Sequence, residues 1–207
     1  MVKGVLRSVA YGVIVIVFVL LGLRIAGPAG PHSQSAPPPQ QRASGDAAPR
    51  ERAAQPLGDD VLALRARTLL FPVEGIAPST LRDSFAEGRV GHLHEAVDIL
   101  APRGSNVLAV DDGRVVKLFN SVRGGLTVYQ FDVGETYCYY YAHLDGYVPW
   151  LAEGAIVRKG AVLGYVGTTG NAPKDTPHLH FTVFKLGPDR RWWEGTPINP
   201  FGIWAAR

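Results

Sequence analysis

The segment Thr176-Pro177-His178-Leu179-His180-Phe181-Thr182-Val183 sets two histidines two residues apart in a run ending in aromatic and β-branched residues. Side chains alternate faces along a strand, so His178 and His180 share one face while Leu179 and Phe181 anchor the other. Two adjacent imidazoles on a pleated surface suit metal binding or proton transfer. His92, His94 and His143 lie upstream in contexts that are also strand-like. Any one of them alone reads better as a satisfied structural residue. Five within one stretch, at spacings a metal site uses, point to function. In His94-Glu95-Ala96-Val97-Asp98, the even offset of an extended segment returns His94 and Asp98 to one face and turns Glu95 away. With His180 they make two imidazoles and one carboxylate, the donor set of a catalytic zinc site with an open position for water. His143 closes the strongly β-forming run Tyr137-Cys138-Tyr139-Tyr140-Tyr141-Ala142-His143-Leu144, where alternation puts Tyr139 and Tyr141 on its face.

The elements expected to carry these residues are mostly strands. Short runs rich in Val, Tyr, Phe and Ile, separated by Gly, Asp, Asn or Pro, read as strands at 97–100, 107–110, 113–119, 126–131, 137–143, 161–166 and 178–184. Asp111-Asp112-Gly113 is a hairpin signal, and Leu81–Phe85 reads as a short strand or turn. Asp59 or Asp60 can cap a helix with Leu62, Ala66 and Leu69 on one face, ending before Pro72. The fold class is therefore mainly β and antiparallel, with about eight or more strands and one short N-terminal helix.

The front of the chain is different. Lys3 and Arg7 precede an uncharged apolar run from Val9 to Leu23 that Arg24 closes. Basic residues ahead of such a run predict an uncleaved signal-anchor over 1–26, a separate transmembrane helix with its amino end in the cytoplasm. A cleaved signal peptide is disfavoured because Arg24 stands where a neutral cleavage region belongs. From Gly27 to Leu57 the chain is rich in Pro, Ala, Gln, Ser and Arg and cannot bury a core. It is expected to be a disordered tether reaching about 30 Å as a coil and about 100 Å extended. The third segment, 58–207, is the expected globular domain.

Charge follows this division. Met1–Leu57 holds six Lys/Arg and two Asp/Glu, net +4, and Gly58–Arg207 holds fifteen and sixteen, net −1, which together give the overall +3. A near-neutral domain argues against nucleic acid as a partner. The lone cysteine, Cys138, cannot form an internal disulfide, and its tyrosine neighbours predict a buried strand position. Trp150, Trp192 and Trp193 are expected to pack over a barrel end rather than wall a substrate groove. His92 is expected at the rim, and His32 falls in the tether.

From about Phe71 to Phe201 the chain resembles the lysostaphin/LytM-type zinc metalloendopeptidases, peptidase family 23. His94…Asp98, Tyr141-Ala142-His143-Leu144 and His178-Leu179-His180 occur in the family's order. The Gly104–Val115 hairpin, the glycine-punctuated strand pair Val157–Gly170 and the closing Asn199-Pro200 are similar as well. Ala96 stands where many members have Gly. The resemblance implies a half-barrel of the duplicated-hybrid-motif type. It implies one zinc ion per chain held by His94, Asp98 and His180, with His143 and His178 as catalytic non-ligand residues. It also implies cleavage of peptidoglycan peptide cross-links by a metal-activated water, with an imidazole passing the water's proton to the leaving amine. No HExxH is present, so histidine takes the part that Glu plays in other zinc proteases. The resemblance and the front end together predict a single-pass inner-membrane protein with its domain on the periplasmic, extracytoplasmic side. Two readings compete. One is a non-hydrolytic regulator of wall amidases on the same fold, disfavoured because such members lack one or more of the five residues. The other is a zinc-free β domain binding phosphate or carbohydrate.

Overall fold

The computed structural model describes residues 58–89 and 91–205, so the expected anchor at 1–26 and tether at 27–57 lie outside the described residues. Helix α1 (Asp59–Ala66) comes first. Eleven strands follow among the described residues: β1 (Gly88–Arg89), β2 (His92–Leu93), β3 (Val97–Leu100), β4 (Asn106–Leu108), β5 (Gly113–Ser121), β6 (Gly125–Asp132), β7 (Tyr137–Tyr147), β8 (Ile156–Val157), β9 (Val162–Val166), β10 (His178–Leu186) and β11 (Gly195–Ile198). A short helix, α2 (Phe201–Trp204), closes the set. No helix of the described residues is long and apolar enough to cross a membrane.

The architecture is mainly β with few helices, and every strand pairing is antiparallel. One sheet runs β11-β10-β7-β6-β5-β8, with β3 also on β10 and with β9 joining β4 to β7; β1 and β2 form a separate ribbon. All seven strands expected from composition are present. The short strands β1, β2, β8 and β11 were not anticipated, because two to four residues carry too little pattern to read.

The central strands β7 and β10 bury both faces. One face packs Tyr139, Tyr141, Leu179, Phe181 and Val183 against Val97, Ile99 and Val128. The other packs Tyr129, Phe131, Cys138, Tyr140 and Ala142. Fully burying a side chain such as Phe181 stabilises the fold by about 1.5–3 kcal/mol. Buried phenols find partners: Tyr141 Oη accepts from Val110 N–H (3.0 Å) and donates to Gln130 Oε1 (2.8 Å), and Tyr139 Oη donates to Asp111 Oδ2 (3.1 Å). Cys138 is fully buried, as its tyrosine neighbours suggested, and burial pushes its thiol well up.

Several expectations are corrected. Gly58, not Asp59 or Asp60, caps α1, and the buried face is Val61 and Leu64 rather than Leu62, Ala66 and Leu69. Thr68 takes a left-handed φ of 52°, so the helix stops before Leu69 can join its face. Asp60 instead accepts from Tyr137 Oη at 2.9 Å. Asp111–Gly113 does not close a hairpin: β4 pairs with β9 while β5 pairs with β6 and β8. Gly113 is needed because β6 passes close, and a Cβ there would sit 2.0 Å from the Phe131 carbonyl oxygen. Of the two readings of Leu81–Phe85, strand or turn, the segment holds no strand and ends in a turn at Phe85 and Ala86. Trp192 packs at 5.6 Å from Phe119 and 4.7 Å from Tyr129, covering the second face, whereas Trp150 is exposed.

Candidate metal centre

Strand β10 sets the floor of the site. In register, His180 lies directly opposite Asp98 of β3 on one side and Ala142 of β7 on the other. Leu179 and Phe181 are fully buried behind it, so the core fixes which face the two histidines present. His180 Nδ1 is 3.2 Å from Asp98 Oδ1, and His178 Nε2 is 3.7 Å from the same oxygen.

His94 arrives differently. An extended strand would separate residues four apart by about 13 Å, too far for contact. Here Glu95 adopts a left-handed φ of 52°, which curls the chain and brings His94 Nε2 to 3.1 Å from Asp98 Oδ1. The shared face was read correctly, but the extended path behind it was not. His94 Nε2 is also 3.1 Å from His180 Nδ1. The ligand atoms of His94, Asp98 and His180 all lie within 4.8 Å of one another, and no other such cluster occurs among the described residues.

His143 corrects the face expected of it. Tyr139 and Tyr141 point into the first core cluster, and so does Leu144. His143 has φ 61° at a register shift between β6 and β7, a bulge that moves the alternation by one residue. Ala142 and His143 therefore both leave the first core face, and Ala142 packs in the second cluster. The His143 ring stands 5.0 Å from His178 and 5.4 Å from His180, centroid to centroid. His92 lies on β2, outside the metal cluster.

Backbone carbonyls set the tautomers. The Nδ1–H of His94 donates to Ser84 O (3.0 Å), that of His143 to Thr169 O (2.9 Å) and that of His178 to Thr176 O (2.8 Å). A carbonyl only accepts, so each Nδ1 carries the proton and each Nε2 keeps its lone pair for the site. Arg89 Nη2 donates to the outer oxygen of Asp98, Oδ2, at 3.2 Å. Ser84, Thr169, Thr176 and Arg89 had no signal in the sequence: three act through carbonyls that every residue has, and Arg89 sits in a ribbon too short to foresee.

The charges follow from these contacts. Burial would raise the Asp98 carboxyl, but it lies between the imidazoles of His180 and His94, whose protonated forms would hold it well below the usual carboxylate range. Burial, against the pull of Asp98, pushes His180 down. His143 is pushed down to about 4 by burial first, then by His180 and His178.

The donor set fits a divalent cation. With His94 Nδ1–H spent on Ser84, its Nε2 can only accept, as can Asp98 Oδ1. These two acceptors and His180 Nδ1 converge with at most one proton among them. Asp98 Oδ1 is left buried without a hydrogen-bond partner, an arrangement that is costly unless a cation fills it. Two imidazole nitrogens and one carboxylate oxygen are borderline donors of the kind zinc takes.

Known proteins share this stretch of chain. The L-Ala–D-Glu endopeptidase of Bacillus subtilis is 36% identical over 118 residues, covering 54% of this chain and 35% of that protein. The DD-carboxypeptidase/endopeptidase Mpg of Neisseria meningitidis is 34% identical over 115 residues, covering 54% and 23% respectively. The chain thus spans about a third and about a quarter of their lengths. The structure of Helicobacter pylori Csd3 superposes with a TM-score of 0.51 at 31% identity, over 67% of this chain and 33% of that one. The model of one family, Peptidase family M23, matches residues 92–200 from before His94 to past His180, and the chain belongs to that family.

Proposed function

We propose that residues 58–207 form a zinc-dependent endopeptidase that cuts the peptides of peptidoglycan. The observation that carries this reading is the buried, unpartnered Asp98 Oδ1 facing His94 Nε2 and His180 Nδ1. His94, Asp98 and His180 would hold the zinc. A zinc ion in an open three-ligand site lowers the pKa of a bound water and polarises a carbonyl.

The remaining steps belong to the protein. His143 is neutral at physiological pH, because burial and its imidazole neighbours depress it to about 4. The Nδ1–H groups of His143 and His178 are both spent on carbonyls, so it is Nε2 of each ring that faces the site for proton transfer. One ring of the pair takes the proton of the attacking water and delivers it to the leaving amine. A ring that stabilises the oxyanion must first be protonated, since a neutral Nε2 here has no proton to donate.

The substrate class rests on the relatives. One is named for the L-Ala–D-Glu bond and another as a DD-carboxypeptidase/endopeptidase. Both names specify peptides with D-amino acids, the chemistry of wall stem peptides. The apolar run Val9–Leu23 behind Lys3 and Arg7 supports a domain tethered to the cytoplasmic membrane and facing the wall.

Zinc-loaded full-length protein in detergent is expected to release soluble peptides from purified sacculi and to stop when the metal is chelated. Mass spectrometry of the products then gives the bond. Sacculi left intact by the zinc-loaded protein would contradict the reading.

A further inference from the structure

A left-handed residue on a bulge keeps its aim only when its surroundings over-determine it. His143 is such a residue, and the loop around Thr169 meets its ring at Nδ1. The Nδ1–H of His143 donates to Thr169 O, and its backbone N–H donates to Gly124 O at 2.8 Å. The Thr169 hydroxyl donates to Leu144 O at 2.7 Å and accepts from Leu126 N–H at 3.0 Å. Leu126 and Leu144 are paired across β6 and β7 at the edge of the bulge, so the hydroxyl bridges the two strands where their ladder is interrupted.

Glycines let this bridge close. Gly125 (φ 62°) has no room for a Cβ, which would lie 2.2 Å from Thr169 Oγ1. A Cβ at Gly170 (φ 70°) would lie 2.3 Å from both Arg123 O and Gly125 N. Asn171 N–H donates to Arg123 O at 3.0 Å and completes the clasp. Two backbone segments thus touch without side chains between them, with one hydroxyl at their junction.

We propose that Thr169 is a positioning residue for the reaction, fixing the tautomer and direction of His143 through this clasp. The proposal rests on the peptidase reading for its effect on rate, but its effect on His143 is independent of that reading. Thr169→Val keeps the shape and removes the hydroxyl, and with it the bonds to Leu126 N–H and Leu144 C=O; Thr169→Ser keeps the hydroxyl.

In zinc-loaded full-length protein, Thr169→Val is expected to lower kcat on a purified wall peptide by about 10- to 100-fold, the range for lost outer-layer hydrogen bonds. KM and zinc content should stay unchanged, and Thr169→Ser should restore most of the rate. Nitrogen-15 shifts of the His143 ring should report a single Nδ1–H form in the parent and in Thr169→Ser, and a mixture in Thr169→Val. A Thr169→Val protein with parental kcat and a single tautomer would overturn the proposal. So would parallel loss of zinc or of folded protein in both variants, which marks a purely structural threonine. If the parent cuts no wall peptide, the peptidase reading fails, and the ring shifts alone decide the positioning role.

Discussion

The five site residues stand on two kinds of backbone. Asp98, His178 and His180 lie on regular strands, in register across β3 and β10. Behind them Val97, Ile99, Leu179 and Phe181 are buried. A one-residue slip would take these apolar side chains out of the first core cluster and onto the face of the histidines, so the stability of the whole core enforces this half of the site. His94 and His143 depend on left-handed backbone, at Glu95 and at His143 itself. Each such residue costs about 1–2 kcal/mol, and its direction is kept by local bonds to Ser84 O and Thr169 O. One half is held by the fold as a whole, the other by strain and a few hydrogen bonds.

Substitutions should separate the two halves. Phe181→Ala, behind the strand-borne half, removes a ring packed 5.3 Å from Tyr141 and 5.6 Å from Trp204. It is expected to lower unfolding stability by about 3–5 kcal/mol, read from urea denaturation. A loss under about 1 kcal/mol would mean that the core does not set this half. Arg89→Ala removes the donor to Asp98 Oδ2. Arg89 is exposed, so the weakening of zinc affinity should sit near the low end of the outer-layer range, about tenfold. Competition with a chelating dye measures it, and unchanged affinity would show that the ladder alone orients Asp98.

The smallest effect has the opposite sign. Glu95→Gly relieves the left-handed strain, worth about 1–2 kcal/mol, but adds freedom to the unfolded chain, worth about 0.4–1 kcal/mol. The net expectation is a gain of up to about 1.5 kcal/mol in the metal-free protein. Removing the buried, unpartnered Glu95 Oε2 acts in the same direction. A destabilised Glu95→Gly protein would show that the kink carries no strain.

The same division explains what could be read from the sequence. Alternation is a property of regular strands, so His178, His180 and the apolar backing of Leu179 and Phe181 followed directly from their spacing. It fails at a bulge. His143 was therefore expected beside Tyr139 and Tyr141, and the structure turns it to the opposite face. His94 and Asp98 came together as expected, but by a kink at Glu95 that no residue type there announces, since Glu seldom adopts positive φ. The carbonyl partners Ser84, Thr169 and Thr176 were invisible because a carbonyl has no residue identity. The second core face, closed by Trp192 from the segment before β11, depends on long-range contacts that a local pattern does not carry.

The most direct measurement compares zinc content and sacculus hydrolysis for the full-length protein, His180→Ala and His143→Ala. The parent is expected to hold about one zinc per chain and to hydrolyse. His180→Ala should lose both the metal and hydrolysis. His143→Ala should keep the metal while its rate falls by about 10²–10⁴-fold, the range for a lost proton-transfer group. Zinc retained by His180→Ala, or hydrolysis at the parental rate by His143→Ala, would contradict the assignment of metal holding and proton transfer to these residues.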